Sequence, residues 1–343
     1  MNRAIALCIS FGATVLLVLS SSPGFSQTDI LTFESGPVRP VVLSPDGSRL
    51  FVANIPDAHL EVFDVSGAGA PVPVASIPVG MEPVAIAAIS NDEVWVANHL
   101  SDSVSIVSVS LGRVTRTLLV GDEPRDIVIA DPPGATGPRV FIATAHRGQH
   151  REDSSLAGVP GAGDPQYTTA GVPRNDVWVF DAGDQGTAFG GTPLAILEFY
   201  SDTPRAMAVS PTGSHVYVAA FNSGNQTAVV PEGAVCDGFG AAGSCNGDGI
   251  TSPGGMAGGR LPGGTPEPST NADGVSAPEV GLIVKWDEDS SQFQDELGRN
   301  WNNGIRFTLP DKDVFAVNTE TLAETAYHTH AGTTLFNMAV NPQ

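Results

Sequence analysis

The sequence is poor in charged residues, and basic side chains are the scarcest of them. Charged residues make up 15% of the 343, and 16 Lys and Arg stand against 37 Asp and Glu, which gives a net charge of −21. A chain with this balance repels phosphate backbones and anionic headgroups, which excludes nucleic-acid binding as its role. The acidic residues are spread along the chain, as is typical of a solvated surface.

Several motifs that would identify a reaction are absent. The sequence has no Cys-x-x-Cys-His for covalent haem, no Gly-x-Ser-x-Gly elbow, no phosphate loop and no His-Glu-x-x-His. Their absence favours a protein that is not an enzyme, although it leaves the question open.

Long apolar runs are also lacking, except at the N-terminus. Arg3 precedes an uncharged, mostly apolar run from Ala4 to Leu19, and small or turn-forming residues follow as far as Ser26. This pattern predicts a secretory signal peptide over residues 1–26, with a mature chain of residues 27–343 in the periplasm or outside the cell. We expect no transmembrane span in that mature chain. An uncleaved membrane anchor is the alternative.

Cysteine is rare. Of the three cysteines, Cys8 lies in the signal peptide, which leaves Cys236 and Cys245 in the mature chain. Export to an oxidising compartment favours a disulfide between them, and two reduced thiols are the alternative.

Glycine and proline are abundant, with 39 and 27 residues, and they punctuate an internal repeat. Pro40 and Pro83 are 43 residues apart, and Pro83 and Pro124 are 41 apart. Each copy reads as a Pro, an apolar strand, a turn of the Ser-Pro-Asp-Gly type, a second strand rich in β-branched and aromatic residues, and two further strands. Four short antiparallel strands per repeat predict an all-β protein, a β-propeller of four-stranded blades.

Two segments carry a resemblance to a known family. Leu43-Ser44-Pro45-Asp46-Gly47 leads into Leu50–Asn54, and Val94-Trp95-Val96-Ala97-Asn98 leads into Ser101–Ile106. These segments resemble the repeat named for its Tyr-Val-Thr-Asn segment, the YVTN family of β-propellers, which is related to the lactonase-like and surface-layer propellers. The resemblance covers roughly residues 28–230 and 313–343. It implies the fold and leaves the activity open.

The repeat is interrupted twice, and the chain stops within a copy. Inserts occupy residues 145–175 and 222–312, so the third strands of their blades are expected near Asp176–Asp181 and Asp313–Asn318. His330–Pro342 matches the start of a fifth copy. We therefore expect about four blades and the start of a fifth, from a C-terminally truncated ring of seven or eight. The alternative is a small ring that Ile30–Glu34 closes.

The repeat phase places both inserts at one end of the sheets, together with the links from each blade to the next; we call this the insert-bearing end. Long loops on a rigid scaffold are where binding usually occurs. The candidate anion-binding residues there are Arg39, Arg125 and Arg205, with Glu82, Glu123 and Asp202 beside them. These guanidiniums would approach the mouth of a central channel and hold a carboxylate or phosphate. In the alternative, they bridge blades through Glu82, Glu123, Asp126 or Asp202.

Histidines offer a second kind of site. His146 and His150 in the first insert, and His328 and His330 on one face of a predicted strand, are candidate ligands for a transition metal. Asn246 and Asp248 resemble the opening of a calcium loop, although its later ligands are absent. In the alternative, these are solvated surface residues and the protein holds no metal.

Two functions follow from the sequence. The first is an exported binding or interaction scaffold whose insert-bearing end takes a protein, a polymer or a small anionic ligand. The second is a periplasmic enzyme or redox-partner module with a metal-associated or haem-associated site at the channel mouth.

Overall fold

The computed structural model describes residues 36–146, 175–230, 243–244, 251–252, 271–275, 282–296, 298–305 and 308–341. The predicted signal peptide, Cys236, Cys245, His150 and the Asn246–Asp248 pair lie outside these residues. The described part is all-β, with one short 3-10 helix at Asn302–Gly304. Among the described residues, the structure contains no helix with the length and apolar character needed to cross a membrane.

Four four-stranded antiparallel sheets form most of the structure. Sheet 1 contains β1 (Val41–Leu43), β2 (Arg49–Asn54), β3 (His59–Asp64) and β4 (Val72–Pro78). Sheet 2 contains β5 (Pro83–Ala88), β6 (Glu93–Asn98), β7 (Ser103–Ser108) and β8 (Arg113–Leu119). Sheet 3 contains β9 (Asp122–Ala130), β10 (Arg139–His146), β11 (Asn175–Asp181) and β12 (Ala195–Phe199). Sheet 4 contains β13 (Asp202–Val209), β14 (His215–Asn222), β20 (Val314–Asn318) and β21 (Glu324–His328).

Each sheet pairs its strands in chain order, and the two inserts do not break that order. β10 pairs with β11 across the first insert, and β14 pairs with β20 across the second, as the repeat predicts. The second insert contributes two small sheets of its own. One contains β15 (Thr227–Val230), β18 (Leu282–Asp287) and β19 (Gln292–Gln294), and the other contains β16 (Gly243–Ser244) and β17 (Thr251–Ser252).

The core lies between consecutive sheets, which pack face to face in chain order. The second strands of sheets 1, 2 and 3 each supply an aromatic residue directed at the next sheet, because alternate residues of a strand point to opposite faces. Phe51 is buried between sheets 1 and 2, Trp95 between sheets 2 and 3, and Phe141 between sheets 3 and 4. The flanking β-branched residues point the other way, and Val94 and Val96 are fully buried against sheet 1.

The Ser-Pro-Asp-Gly turns lie at the other end of the sheets. In the first of them, the Gly47 amide donates to the Ser44 carbonyl at 2.8 Å, and Gly47 has a φ of 71°. Gly213 has the same φ and makes the equivalent bond to Ser210 at 2.9 Å. Because this backbone conformation favours glycine, the turn chemistry read from the sequence accounts for both connections.

Candidate functional site at the insert-bearing end

Strand pairing places the inserts and the inter-sheet links at the same end of the sheets. His146, at the start of the first insert, pairs with Asp122 at the start of β9. Asn222, at the start of the second insert, pairs with Asp202 at the start of β13. Its side-chain amide also donates to the Asp202 carboxylate at 3.1 Å.

The residue before the proline of each link has an unusual backbone. Glu82, Glu123 and Thr203 have φ values of 57°, 55° and 51°, and each directly precedes a proline within the first three residues of a first strand. Non-glycine residues rarely adopt positive φ, and a following proline restricts the backbone further. A β-bulge follows in both β5 and β13, where the register shifts between Pro83 and Ala85 and between Pro204 and Ala206.

Neighbouring turns hold these strained residues in place. The Glu82 carbonyl accepts from the His99 amide at 2.8 Å, and the Glu123 amide donates to the Asp102 carboxylate at 3.0 Å. His99 and Asp102 belong to the turn between β6 and β7. This turn therefore fixes the links on both sides of sheet 2.

Arg39 lies where the first strands of the sheets converge. Its guanidinium donates to both carboxylate oxygens of Asp126 in β9, at 3.1 and 3.3 Å, and to the Met207 carbonyl of β13 at 3.0 Å. Its backbone forms a parallel bridge with Ala85 in β5. Arg39 thus connects the segment before sheet 1 to sheets 2, 3 and 4.

Asp126 is fully buried and accepts four hydrogen bonds. The amides of Ile127 and Met207 donate to it at 2.9 and 2.8 Å, in addition to the two bonds from Arg39. Burial raises the pKa of the Asp126 carboxyl, and the charge of Arg39 acts against that rise. The bridging interpretation of Arg39 through Asp126 is the one that this geometry supports.

The other two arginines contact residues other than Asp126. The Arg125 guanidinium donates to the Glu123 carboxylate at 2.8 Å. Arg205 is buried, with its guanidinium carbon 5.1 Å from the centroid of the Phe221 ring and 5.6 Å from that of Phe336, and its Nε donates to the Phe336 carbonyl. Each of the three arginines therefore has protein partners of its own among the described residues.

His328 and His330 do not belong to one strand. β21 ends at His328, and His330 has a φ of 60°, so the alternation of a continuous strand does not extend to His330. The His330 Nε2 lies 3.5 Å from an Asp311 carboxylate oxygen, and its side chain is 75% exposed. Within the described residues, no three His, Cys, Asp or Glu side chains are grouped so as to hold a metal ion.

Sequence reasoning missed an exposed apolar pair at this end. Met81 lies in the link to sheet 2, Leu100 lies in the turn between β6 and β7, and the Leu100 amide donates to the Met81 carbonyl at 3.3 Å. Their exposed fractions are 54% and 63%. The sequence carries no signal for the pair, because neither residue belongs to a periodic strand and the turn brings them together.

The fold and this end define a class of all-β protein whose four-stranded sheets repeat and stack in chain order. No family model matches the chain, and no curated protein matches it. Among solved structures, it is similar to hydrazine synthase of Kuenenia stuttgartiensis, with 16% identity over 90% of each chain and a TM-score of 0.41. It is also similar to U3-55K, with 10% identity over 55% of this chain and 43% of the other, and a TM-score of 0.36. Similarity this low carries no argument about function.

Proposed function

We propose that the protein is an exported β-propeller that acts as a binding scaffold and takes a protein or polymer partner at its insert-bearing end. In this proposal the four sheets are the blades of the propeller. Sheets that stack in chain order, with their first strands converging near Arg39, support the propeller arrangement. Export rests on the signal-peptide pattern of residues 1–26.

The exposed pair of Met81 and Leu100 carries the proposal. Both are apolar, both lie at the insert-bearing end, and the strained link and its turn hold them in one place. Exposed apolar side chains on a rigid support are typical anchors for a macromolecular partner. Glu82 follows Met81 directly and Asp102 lies two residues after Leu100, so the partner is expected to present an apolar group flanked by cations.

The contacts of the three arginines favour a small anionic ligand less than a macromolecular partner. Arg39 is paired with Asp126, Arg125 contacts Glu123, and Arg205 contacts Phe221 and Phe336. An incoming carboxylate or phosphate would have to compete with these contacts within the protein. A macromolecular partner at Met81 and Leu100 requires no such exchange.

Site-specific photocrosslinking in the producing cells tests this proposal with a matched pair of positions. Leu100 is 63% exposed at the insert-bearing end of sheet 2, and Leu111 is 60% exposed at the opposite end of the same sheet. A photoreactive phenylalanine analogue at position 100 should give a discrete crosslinked species, which mass spectrometry identifies. The same analogue at position 111 should give none.

A second variant separates binding from folding. Met81→Asp in the chain labelled at position 100 should abolish the crosslink while the thermal unfolding midpoint stays close to that of the parent. Crosslinks of equal yield from both positions, or none from position 100, would contradict a partner at the insert-bearing end.

A further inference from the structure

The loop between β11 and β12, residues 182–194, lies against β8, the outer strand of sheet 2. The Gly190 carbonyl of this loop accepts from the Leu119 amide at 2.8 Å. The Arg116 guanidinium donates to the Ala188 carbonyl at 3.4 Å. A Cβ at Gly190 would lie 2.9 Å from the Leu119 side chain, so a larger residue there would push the loop away from β8. These contacts fix the backbone of the loop on the edge of sheet 2.

Phe189 lies between the two fixed residues of this loop, yet its side chain is 94% exposed. The loop is also bonded internally, because the Gly191 amide donates to the Ala188 carbonyl at 3.0 Å and the Thr192 amide to the Gln185 carbonyl at 2.8 Å. Leaving a phenylalanine side chain in water costs roughly 1.5–3 kcal/mol relative to burying it. A rigid loop loses little conformational freedom on binding, so it is suited to insert this ring into another surface.

An apolar cleft opens on the other side of β12, between the outer strands of sheets 3 and 4. Its volume is about 280 Å³, and the residues that line it are Ile196, Leu197, Glu198, Phe199, Val317, Leu322 and Glu324. A cavity of about 150 Å³ already holds a benzene ring, so the cleft has room for a phenylalanine side chain. Both of its glutamates are exposed, and the Glu324 carboxylate lies 3.8 Å from the Lys312 ammonium. The cleft therefore has an apolar lining and an acidic border.

Basic residues flank the loop that carries Phe189. Arg113 and Arg116 pair with alternate residues of β7, so their side chains share one face of sheet 2, and Arg116 contacts the loop directly. The carboxylates of Asp181 and Asp184 accept amides of the loop itself. The surroundings of the exposed ring and the border of the cleft are thus complementary in charge.

We propose that a second copy of this chain occupies the cleft, with Phe189 of each copy inserted between sheets 3 and 4 of the other. The loop and the cleft lie on either side of β12, so a two-fold axis that passes between them forms both contacts at once. The arginines of each copy then lie beside the glutamates of the other. This inference goes beyond the proposed function, since it depends neither on the insert-bearing end nor on closure of a ring.

The buried area predicts a weak dimer. Each phenylalanine buries about 150–250 Å², and the cleft walls lose a similar area, so the two contacts together remove roughly 600–1,000 Å² from water. This total is below the ~1,200 Å² at which stable interfaces begin and is typical of transient association. The dimer should therefore form at protein concentrations on the order of 100 μM.

Sedimentation velocity of the purified chain over a concentration series tests the proposal. The wild-type chain should shift from monomer toward dimer as its concentration rises. Phe189→Ser should raise the dissociation constant at least about tenfold, and it should leave the fold intact because the side chain is 94% exposed. Leu43→Ser is the matched control, since Leu43 is 54% exposed in sheet 1, away from both features. It should leave the dimer unchanged.

A variant of the cleft identifies the pairing. Leu322→Glu places a charge in the apolar lining and should weaken the dimer as much as Phe189→Ser does, with circular dichroism and thermal unfolding as the check on its fold. The Phe189→Ser chain retains its cleft, and the Leu322→Glu chain retains its ring. An equimolar mixture of the two has one wild-type contact per heterodimer and should therefore associate more strongly than either variant alone.

A crosslinking measurement on the purified chain does not depend on the fold of the cleft variant. A photoreactive phenylalanine analogue at position 189 should give a crosslinked dimer, and mass spectrometry should locate the attachment in β12 or in the turn between β20 and β21. A chain that stays monomeric at every concentration, a dimer insensitive to Phe189→Ser, or attachment to the same loop of the other copy would overturn the proposal. None of these results would affect the test at Leu100.

Discussion

Arg39 and Asp126, 87 residues apart in the sequence, form a two-bond ion pair at the point where the first strands of the sheets converge. The Asp126 carboxylate is fully buried, while the Arg39 side chain is 32% exposed. The pair connects the segment before β1 to β9, and the Arg39 bond to the Met207 carbonyl extends the connection to β13. One guanidinium thus joins sheets 3 and 4 to the segment that precedes sheet 1.

Arg39→Ala should therefore be strongly destabilising. Removing one partner of a buried ion pair typically costs about 3–5 kcal/mol, because the remaining charge stays buried without its counter-ion. Arg49→Ala provides the control, because Arg49 donates to the Asn91 carbonyl at the surface and should contribute no more than about 1 kcal/mol. Urea unfolding of the three proteins measures the free energies. Equal losses for the two variants would contradict a special role for Arg39.

The loss of unfolding free energy caused by Arg39→Ala should depend on pH. Burial raises the pKa of Asp126 in the folded protein, so the folded state holds this proton more tightly than the unfolded chain does. The contribution of such a carboxyl to stability is greatest in acid and is lost as the pH rises above its ordinary value. Without the charge of Arg39 the pKa of Asp126 should rise further. The variant should therefore continue to lose stability up to a higher pH than the wild type.

Unfolding measured between about pH 4 and pH 8 should accordingly show a smaller difference between wild type and Arg39→Ala at the acid end. The double variant Arg39→Ala/Asp126→Asn is the control, since it has no carboxyl to titrate and should lose this part of the pH dependence. If the difference in unfolding free energy between wild type and Arg39→Ala is constant across this pH range, or grows in acid, the pH dependence does not come from Asp126.

The sequence predicts the repeating part of this structure well, because the same physical pattern is written several times. Proline starts, glycine turns and the aromatic residue of each second strand identify the sheets, and the repeat also predicts that β20 pairs with β14 across the long second insert. The candidate site is less predictable. Asp126 is one of four acids that the repeat phase offers to the arginines, and the sequence does not select among them. The choice depends on how four strands converge in space.

Residues of one repeat position also differ in ways that periodicity does not show. Arg125 and Arg205 both follow the proline of a link, yet one contacts Glu123 and the other packs against Phe221 and Phe336. The positive φ of Glu82 and Glu123 has no sequence signal either, since glutamate before proline is not a typical choice for that conformation. Such differences arise from contacts outside the repeat unit.

The turn at Asp46 provides a prediction about a single carboxyl. Hydrogen bonds from the backbone of Ser48 and from the side chains of Ser44 and Ser48 lower the pKa of Asp46 to about 2. Because the folded pKa is depressed, the stabilising contribution of Asp46 is present above its ordinary pKa and is lost as the pH falls toward 2. Carboxyl chemical shifts followed by NMR should give this value directly.

Ser48→Ala separates the contributions to that shift. It removes the side-chain hydroxyl and keeps the backbone amide, which makes the larger contribution. The pKa of Asp46 should therefore rise only part of the way toward 3.8. An unshifted pKa in the wild type, or an unchanged pKa in the variant, would show that the turn does not stabilise the carboxylate.

Two glycines at the same repeat position should respond differently to the same substitution. Gly47 and Gly213 have the same φ of 71° in equivalent turns. Alanine is strained in this left-handed conformation, but it also lowers the conformational entropy of the unfolded chain. The net loss of unfolding free energy at either position should be about 1 kcal/mol. A Cβ at Gly47 would meet only open space, whereas at Gly213 it would overlap the Asp131 carbonyl oxygen. The Asp131 backbone must then shift, at a further cost of about 1–3 kcal/mol. Urea unfolding should therefore rank wild type above Gly47→Ala and Gly47→Ala above Gly213→Ala. If both variants lose the same unfolding free energy, sheets 3 and 4 do not approach each other at the Gly213 turn.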